Sequence, residues 1–349
     1  MTAAPPAPER QIEFLHHLQR IFEEGDFSAT YKFALLLALA EIAVEAGDDS
    51  GAPVAIRLLA IAEKFIELYW RQAAPYSTAA GTPGVLSQNR GAQAAVIRHV
   101  GALHTLGRGN FAAARQSAAW RQRVRMIAGI VRDMPVRHLQ IIAGRQQSFL
   151  YDFPLVSRNT LELKAGVAFN LRKFQGFIQQ MARSAWVDHV RRNDRNSTIL
   201  GYADDLPGFM FGTPRADLSA AAELLAGIQS KRCFYCKGSL GGRGVVDHFI
   251  PWSRYPRDTA HNFVLAHAAC NGDKRELLAA KAHLERWAAR NAQYGADIGS
   301  RLGAEGFVDD LATSQMIAAW AYQQSVGGHA WVGQGQVETI DSTYLSLVR

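Results

Sequence analysis

Cys233-Phe234-Tyr235-Cys236, then Val245-Val246-Asp247-His248-Phe249-Ile250-Pro251-Trp252, then Asn262-Phe263-Val264-Leu265-Ala266-His267-Ala268-Ala269-Cys270-Asn271-Gly272-Asp273-Lys274: these three runs hold most of the chemistry that the chain displays. The chain has 3 cysteines, Cys233, Cys236 and Cys270. An odd total with a C-x-x-C pair argues against a disulfide framework and for reduced thiols holding a metal, which fits a cytosolic setting. Val245 to Ile250 has strand character, Asn262 to Ala266 supplies a second strand, and the residues after Cys270 read as a helix.

Outward from this segment, the pattern is helical. The chain has 349 residues, 48% of them hydrophobic and 20% charged, with a formal net charge of +7. That length accommodates two or three modules, and the basic balance favours polyanionic partners. The N-terminus has neither a basic n-region nor a long apolar h-region, so no signal peptide is expected. The most apolar run, Phe33 to Val44, is too short to span a bilayer and is interrupted by Glu41. It reads as a buried core helix, and no membrane association is expected. Ile12, Leu15, Leu18, Ile21 and Phe22 recur at helical spacing, with Ser28 as N-cap of the next helix. Ala55 to Arg71 reads as a third helix and Ala92 to Gln140 as mostly helical. Ser148–Phe153 and Thr160–Lys164 are expected to form a small hairpin. Leu171 to Arg192, Ala220 to Ser230, Lys281 to Asn291 and Leu311 to Gln324 read as helices, and the last of these is followed by a Gly-rich tail. The expected fold is therefore mainly α. It comprises a helical domain (1–115), a basic helical region with the hairpin (116–204), a connector (205–228), the chemical module (229–290) and a helical C-terminal extension (291–349).

The three runs resemble the HNH nuclease family. The features that coincide are C-x-x-C, a hydrophobic pair before Asp-His, the Ile-Pro that follows, an Asn before an apolar run, and Cys-Asn-x-x-Lys. The resemblance implies a ββα-metal fold over about 45 of the 349 residues. Cys233 and Cys236 are matched by His267 and Cys270 at the same spacing, giving a Cys₃His set for structural Zn²⁺. The family often has cysteine where His267 stands. By resemblance, Asp247 and Asn271 would hold one hard cation, Mg²⁺ or another divalent ion, through oxygen. His248 would be the general base that activates water, and Asn262 would hold the intervening loop by bonding backbone near the base. On a regular strand Asp247 and His248 point to opposite faces, so one of them can line the metal only if the backbone is twisted or bulged there. Lys274 and Arg275 lie one turn beyond Asn271, either placed for a neighbouring phosphate or simply on a solvated face.

Other candidates carry less. Asp188-His189 sits in a helical pattern without a partner and reads as helix surface. His261 lacks the Asp-His-x-Ile-Pro context of His248. The arginines from Arg115 to Arg137, with Trp120 among them, either track a phosphate backbone or form an exposed helix face. No Walker-type loop is present, so nucleotide hydrolysis is not expected. The implied activity is metal-dependent endonucleolytic hydrolysis of DNA, with RNA a lesser alternative. Products would carry 5′-phosphate and 3′-hydroxyl ends. The competing reading is a non-cleaving, zinc-stabilised nucleic-acid-binding or scaffold subunit. Long helical flanks on HNH proteins look like those of bacterial restriction and phage-defence systems, which would give the helical region a partner protein or a gating role.

Overall fold

The computed structural model describes residues 4–77, 81–200, 205–212, 218–242 and 244–348. Residues 201–204, at the end of the expected basic region, and 213–217 of the expected connector lie outside the described residues. The chain forms two compact units, Met1–Gly212 and Thr213–Arg349. As the sequence indicates, the fold is mainly α.

The first unit is built around α2 (Tyr31–Ala46), whose buried residues run on nearly every side from Tyr31 to Val44. An all-round apolar helix must be enclosed by others. Packed into the same core are α1 (Pro8–Glu24), α3 (Leu58–Tyr69), α4 (Ala95–Leu106), α5 (Phe111–Gln116), α6 (Trp120–Val131), α7 (Val167–Lys173) and α8 (Gln175–Arg191). The short α9 (Ser197–Leu200) and α10 (Leu206–Phe211) complete it. The core is continuous from Phe14 to Met210 and does not break near residue 115.

Three local expectations are corrected here. Val54–Arg57 is a strand, β1, and the helix begins only at Leu58. The β-branched Val54 and Ile56 pair antiparallel with Leu163 and Leu161 of β4 (Thr160–Leu163), so a long-range ladder overrides the helical spacing. Residues 148–153 consequently do not form a hairpin with 160–164; Tyr151 makes a single bridge to Leu163. The hairpin in this region joins β2 (Ile141–Ile142) to β3 (Arg145–Gln146). Its turn residues Ala143 and Gly144 both have positive φ, 49° and 74°, the conformation that two-residue hairpin loops demand. Finally, α2 starts from Thr30 rather than from a Ser28 cap, and the Thr30 hydroxyl bonds the Tyr69 hydroxyl at 2.7 Å.

The second unit opens with α11 (Ser219–Ile228). Then β5 (Gly244–His248) pairs antiparallel with β6 (Phe263–His267), and α12 (Ala268–Lys274) follows directly, giving a ββα arrangement. β7 (Leu278–Ala279) leads into the long α13 (Lys281–Ala304), which passes through residue 290 without a break, and then α14 (Leu311–Gln323). The Gly-rich tail is not irregular. β8 (His329–Gly333) and β9 (Gln336–Thr339) form a hairpin, and β8 pairs in parallel with β7 to make a three-stranded sheet. Trp331 Nε1 and the Gly335 amide both donate to Asp273 Oδ2 at 2.9 Å, which ties this sheet to α12.

Candidate functional site

The C-x-x-C run folds as a knuckle. Its turn is closed by Lys237 N donating to Cys233 O at 3.0 Å and Cys233 N donating to Gly238 O at 2.9 Å. The ligand atoms of Cys233, Cys236, His267 and Cys270 lie within 4.8 Å of one another, close enough to converge on one tetrahedral zinc ion. His267 Nδ1 faces the sulfurs, 3.3 Å from Cys236 Sγ and 3.9 Å from Cys270 Sγ. Nε2 of the same ring is 2.9 Å from Ser239 O. A carbonyl can only accept, so Nε2 carries the proton and the Nδ1 lone pair is left for a metal. A Cβ on Gly238 would approach His267 Cε1 at 3.2 Å and Cys236 Sγ at 3.4 Å, so the glycine keeps the cradle open. The donor set and its support fit structural zinc.

The same knuckle reaches the Asp-His pair. Tyr235, between the two cysteines, donates its hydroxyl to Asp247 Oδ2 at 2.6 Å. Burial, and next the Asp247 charge, push the Tyr235 phenol well above its ordinary range, so it stays a donor. From α12, Lys274 Nζ sits 3.1 Å from the same Oδ2 and 3.1 Å from the His248 carbonyl. Lys274 is fully buried, with its side chain 0% exposed. This corrects the expectation that Lys274 meets a phosphate or lies on a solvated face: its ammonium neutralises Asp247. Burial lowers its pKa, and the Asp247 charge opposes that shift. Arg275, by contrast, is exposed and has a positive φ of 50° where α12 ends.

The β5–β6 register is regular through Asp247↔Val264 and His248↔Phe263, with no bulge. Asp247 and His248 therefore leave the strand on opposite faces, Asp247 toward α12 and His248 toward the loop. The break comes immediately afterwards, since His248 is the last ladder residue. Asn262 sets that break. Its carbonyl accepts from Phe249 N at 2.8 Å, its Oδ1 accepts from Ile250 N at 2.7 Å, and its Nδ2 donates to Ile250 O at 3.0 Å. The His248 ring lies edge-on to Phe263 and Trp252, with centroids 5.1 and 5.2 Å away. Its Nε2 is 2.7 Å from Asp258 Oδ1. A carboxylate accepts, so Nε2 donates and Nδ1 keeps a free lone pair. Asp258 was invisible in the sequence, because it lies in an irregular loop ten residues after the histidine with no motif around it.

Helix α13 holds the frame. The fully buried Arg290 donates to the carbonyls of His261 and Phe263, on either side of Asn262, and Trp287 Nε1 donates to His261 O at 2.9 Å. Burial lowers the Arg290 guanidinium to about 9. Arg286 donates to the Phe234 and Tyr235 carbonyls at 2.7 and 3.1 Å, gripping the knuckle from the same helix. His261 does not act beside His248; its Nε2 contacts Gly295 O at 2.9 Å in the interior.

The resemblance assigns a cation to Asp247 and Asn271. Both bonds to Asp247 fall on Oδ2, and no side chain among the described residues bonds Oδ1. Asn271 stands one helical turn before Lys274, on the same side of α12, and its amide makes no protein hydrogen bond among the described residues. One carboxylate oxygen and one amide oxygen fit a hard divalent ion that keeps most of its water.

A nuclease-type ββα hairpin with a Cys₃His knuckle is thus what the second unit defines. In comparison with known families, residues 233–280 match the family described as HNH endonuclease, and residues 11–203 match the one described as Domain of unknown function (DUF8808). The chain belongs to the DUF8808 family over more than half its length and carries an HNH-family module in its second unit. No curated protein and no solved structure matches it. No helix among the described residues is long and apolar enough to cross a membrane.

Proposed function

We propose that the chain is a metal-dependent endonuclease that hydrolyses phosphodiester bonds in DNA. The observation that carries this reading is the His248–Asp258 pair at the end of β5, adjacent in sequence to a carboxylate on the α12 side. Asp258 holds the imidazole in the tautomer whose Nδ1 takes a proton from the attacking water. Asn262 fixes the strand end on which both Asp247 and His248 are carried. Asp247, through Oδ1, and Asn271 would hold Mg²⁺. When bound, that ion supplies charge neutralisation on the scissile phosphate and the departing 3′ oxygen. Tyr235 and Lys274 hold the Asp247 carboxylate in place through Oδ2, and Arg275 is free to meet a flanking phosphate. The free thiols suit a reducing, cytosolic setting.

The competing reading, a zinc-stabilised binder that does not cut, draws on one observation: Asp247 already has a buried ammonium for counter-ion. Plasmid nicking with and without Mg²⁺, with wild type beside His248→Ala, separates the two. Cleavage that needs both the ion and the imidazole, leaving 5′-phosphate ends, supports the nuclease. Equal behaviour of the two proteins, or 3′-phosphate ends, rejects it. A role in restriction or phage defence would appear as reduced phage plating that His248→Ala abolishes.

A further inference from the structure

The cations of the helical unit are concentrated in one stretch. From Arg71 to Arg145 the chain has eleven arginines, no lysine and a single acid, Asp133. α6 continues through a π turn, Arg132–Val136, that accommodates Pro135, so residues 120–138 form one helical rod. Trp120, Val124, Ile127, Ala128 and Val131 bury one side of α6, leaving Arg121 and Arg125 exposed on the other, one turn apart. Arg132 and the exposed Arg137 follow along the rod, and Arg158 joins them from the loop before β4. The last three, Arg132, Arg137 and Arg158, gather around Asp133. Its acidity is strengthened first by Arg132, which it bonds at 2.7 and 3.0 Å, and then by Arg158 and Arg137. One carboxylate cannot neutralise three guanidiniums. Arg121, Arg125, Arg137 and Arg158 have no carboxylate within ion-pair distance among the described residues.

A row of like charges about 24 Å long, the span of sixteen helical residues, of which Arg132 alone has a carboxylate partner, is held against its own repulsion. Its natural complement is an anion of matching periodicity. Arginine, used throughout this stretch, pairs with phosphate oxygens in bidentate fashion where lysine acts as a point charge. We infer that this stripe, Arg121, Arg125, Arg132, Arg137 and Arg158, grips the phosphate backbone of DNA, so that the helical family domain is a backbone-binding domain for the nuclease substrate. The choice of DNA as the polyanion rests on the nuclease reading of the second unit. The grip itself would be independent of base sequence.

The test uses the full-length chain with no added Mg²⁺, titrated against a short labelled DNA duplex over a range of NaCl concentrations. Each lost phosphate contact removes about 0.9 from the slope of log Kd against log[NaCl], so Arg121→Gln/Arg125→Gln/Arg137→Gln should lower it by about 2.7 and weaken binding by a few hundredfold at about 0.1 M salt. Gln matches Arg in helix propensity, so the fold should be kept, and an unchanged thermal melt checks this. A control with the same change of net charge, Arg10→Gln/Arg20→Gln/Arg57→Gln, should leave the slope as in wild type. If the stripe variant binds like wild type, or no worse than the control, the inference is wrong. Hydrolysis plays no part in this readout. A chain that binds through the stripe yet never cuts would sink the nuclease reading and leave this one standing.

Discussion

Removing Asp258 should slow cleavage without weakening substrate binding. Its Oδ1 meets His248 Nε2 at 2.7 Å, and the two side chains are only 23% and 16% exposed. A hydrogen bond of this kind, short and charge-assisted, contributes roughly 1.5–3 kcal/mol. If that orientation is used in the transition state, its loss converts to about a 10- to 150-fold drop in kcat. Asp258→Ala frees the imidazole to rotate and to present the wrong nitrogen. Asp258→Asn keeps a carbonyl acceptor for Nε2–H and should retain more of the rate. His248→Ala removes the proposed base altogether and should cost about 10²–10⁴. The assay is single-turnover cleavage of labelled duplex at saturating enzyme and Mg²⁺, run as a double-mutant cycle. The positioning role requires that Asp258→Ala add nothing once His248 is already alanine. Multiplicative losses in the double variant, or a raised KM with unchanged kcat, would show that Asp258 merely supports its loop, and the dyad argument would fail.

Two further expectations concern the frame. The chain should carry one zinc per molecule by elemental mass spectrometry, and Cys270→Ser or chelation should unfold the second unit while the helical unit retains its own transition, because metal affinity in such knuckles is folding free energy; identical melts with and without zinc would refute this. Lys274→Met leaves Asp247 buried without its ammonium, so the second unit should lose about 3–5 kcal/mol in the absence of divalent ions. Added Mg²⁺ should restore part of that loss, and a loss below about 1 kcal/mol would mean that the pair is not the buried ion pair described above.

What the sequence discloses and what it hides divide along contact distance. The C-x-x-C and H-x-x-C pairs, the Asp-His at a strand end and the long apolar run of α2 are local patterns, and each has its geometry written into spacing. β1 is not local: four residues with a helix-like neighbourhood become a strand because Thr160–Leu163, a hundred residues later, offers them a ladder. The β8–β9 hairpin hides in glycine-rich composition, since Gly333 and Gly335 mark turn geometry rather than disorder. At the site, Asp258, Tyr235 and Arg290 carry no motif of their own. Tyr235 is one of the unspecified positions between two cysteines, and Arg290 looks like any charge on a long amphipathic helix. Lys274 reads as a phosphate contact or a solvated residue because a short helix gives no hint of which side a strand will cover.

Two of these hidden residues, Arg290 and Lys274, share one task with Asn262. The carbonyls of His261 and Phe263 are held by Arg290, the carbonyl of His248 by Lys274, and the chain at Phe249 and Ile250 by Asn262. All of these bonds fall within a few residues of where β5 ends and β6 begins. Burying Arg290 against carbonyls rather than a carboxylate is costly, as its lowered pKa shows, and an apolar side chain would fill the same space with less penalty. A buried guanidinium does what an apolar group cannot: it fixes the positions of two peptide groups flanking Asn262, and through Asn262 the backbone leaving His248. Catalytic groups misplaced by about 1 Å can lose two orders of magnitude in rate. Neighbouring strand residues diverge by default, so on the nuclease reading proposed above Asp247 and His248 serve one phosphate only at a strand end whose departure angle is rigid. The buried cations of the second unit are therefore best understood as the means of fixing that angle.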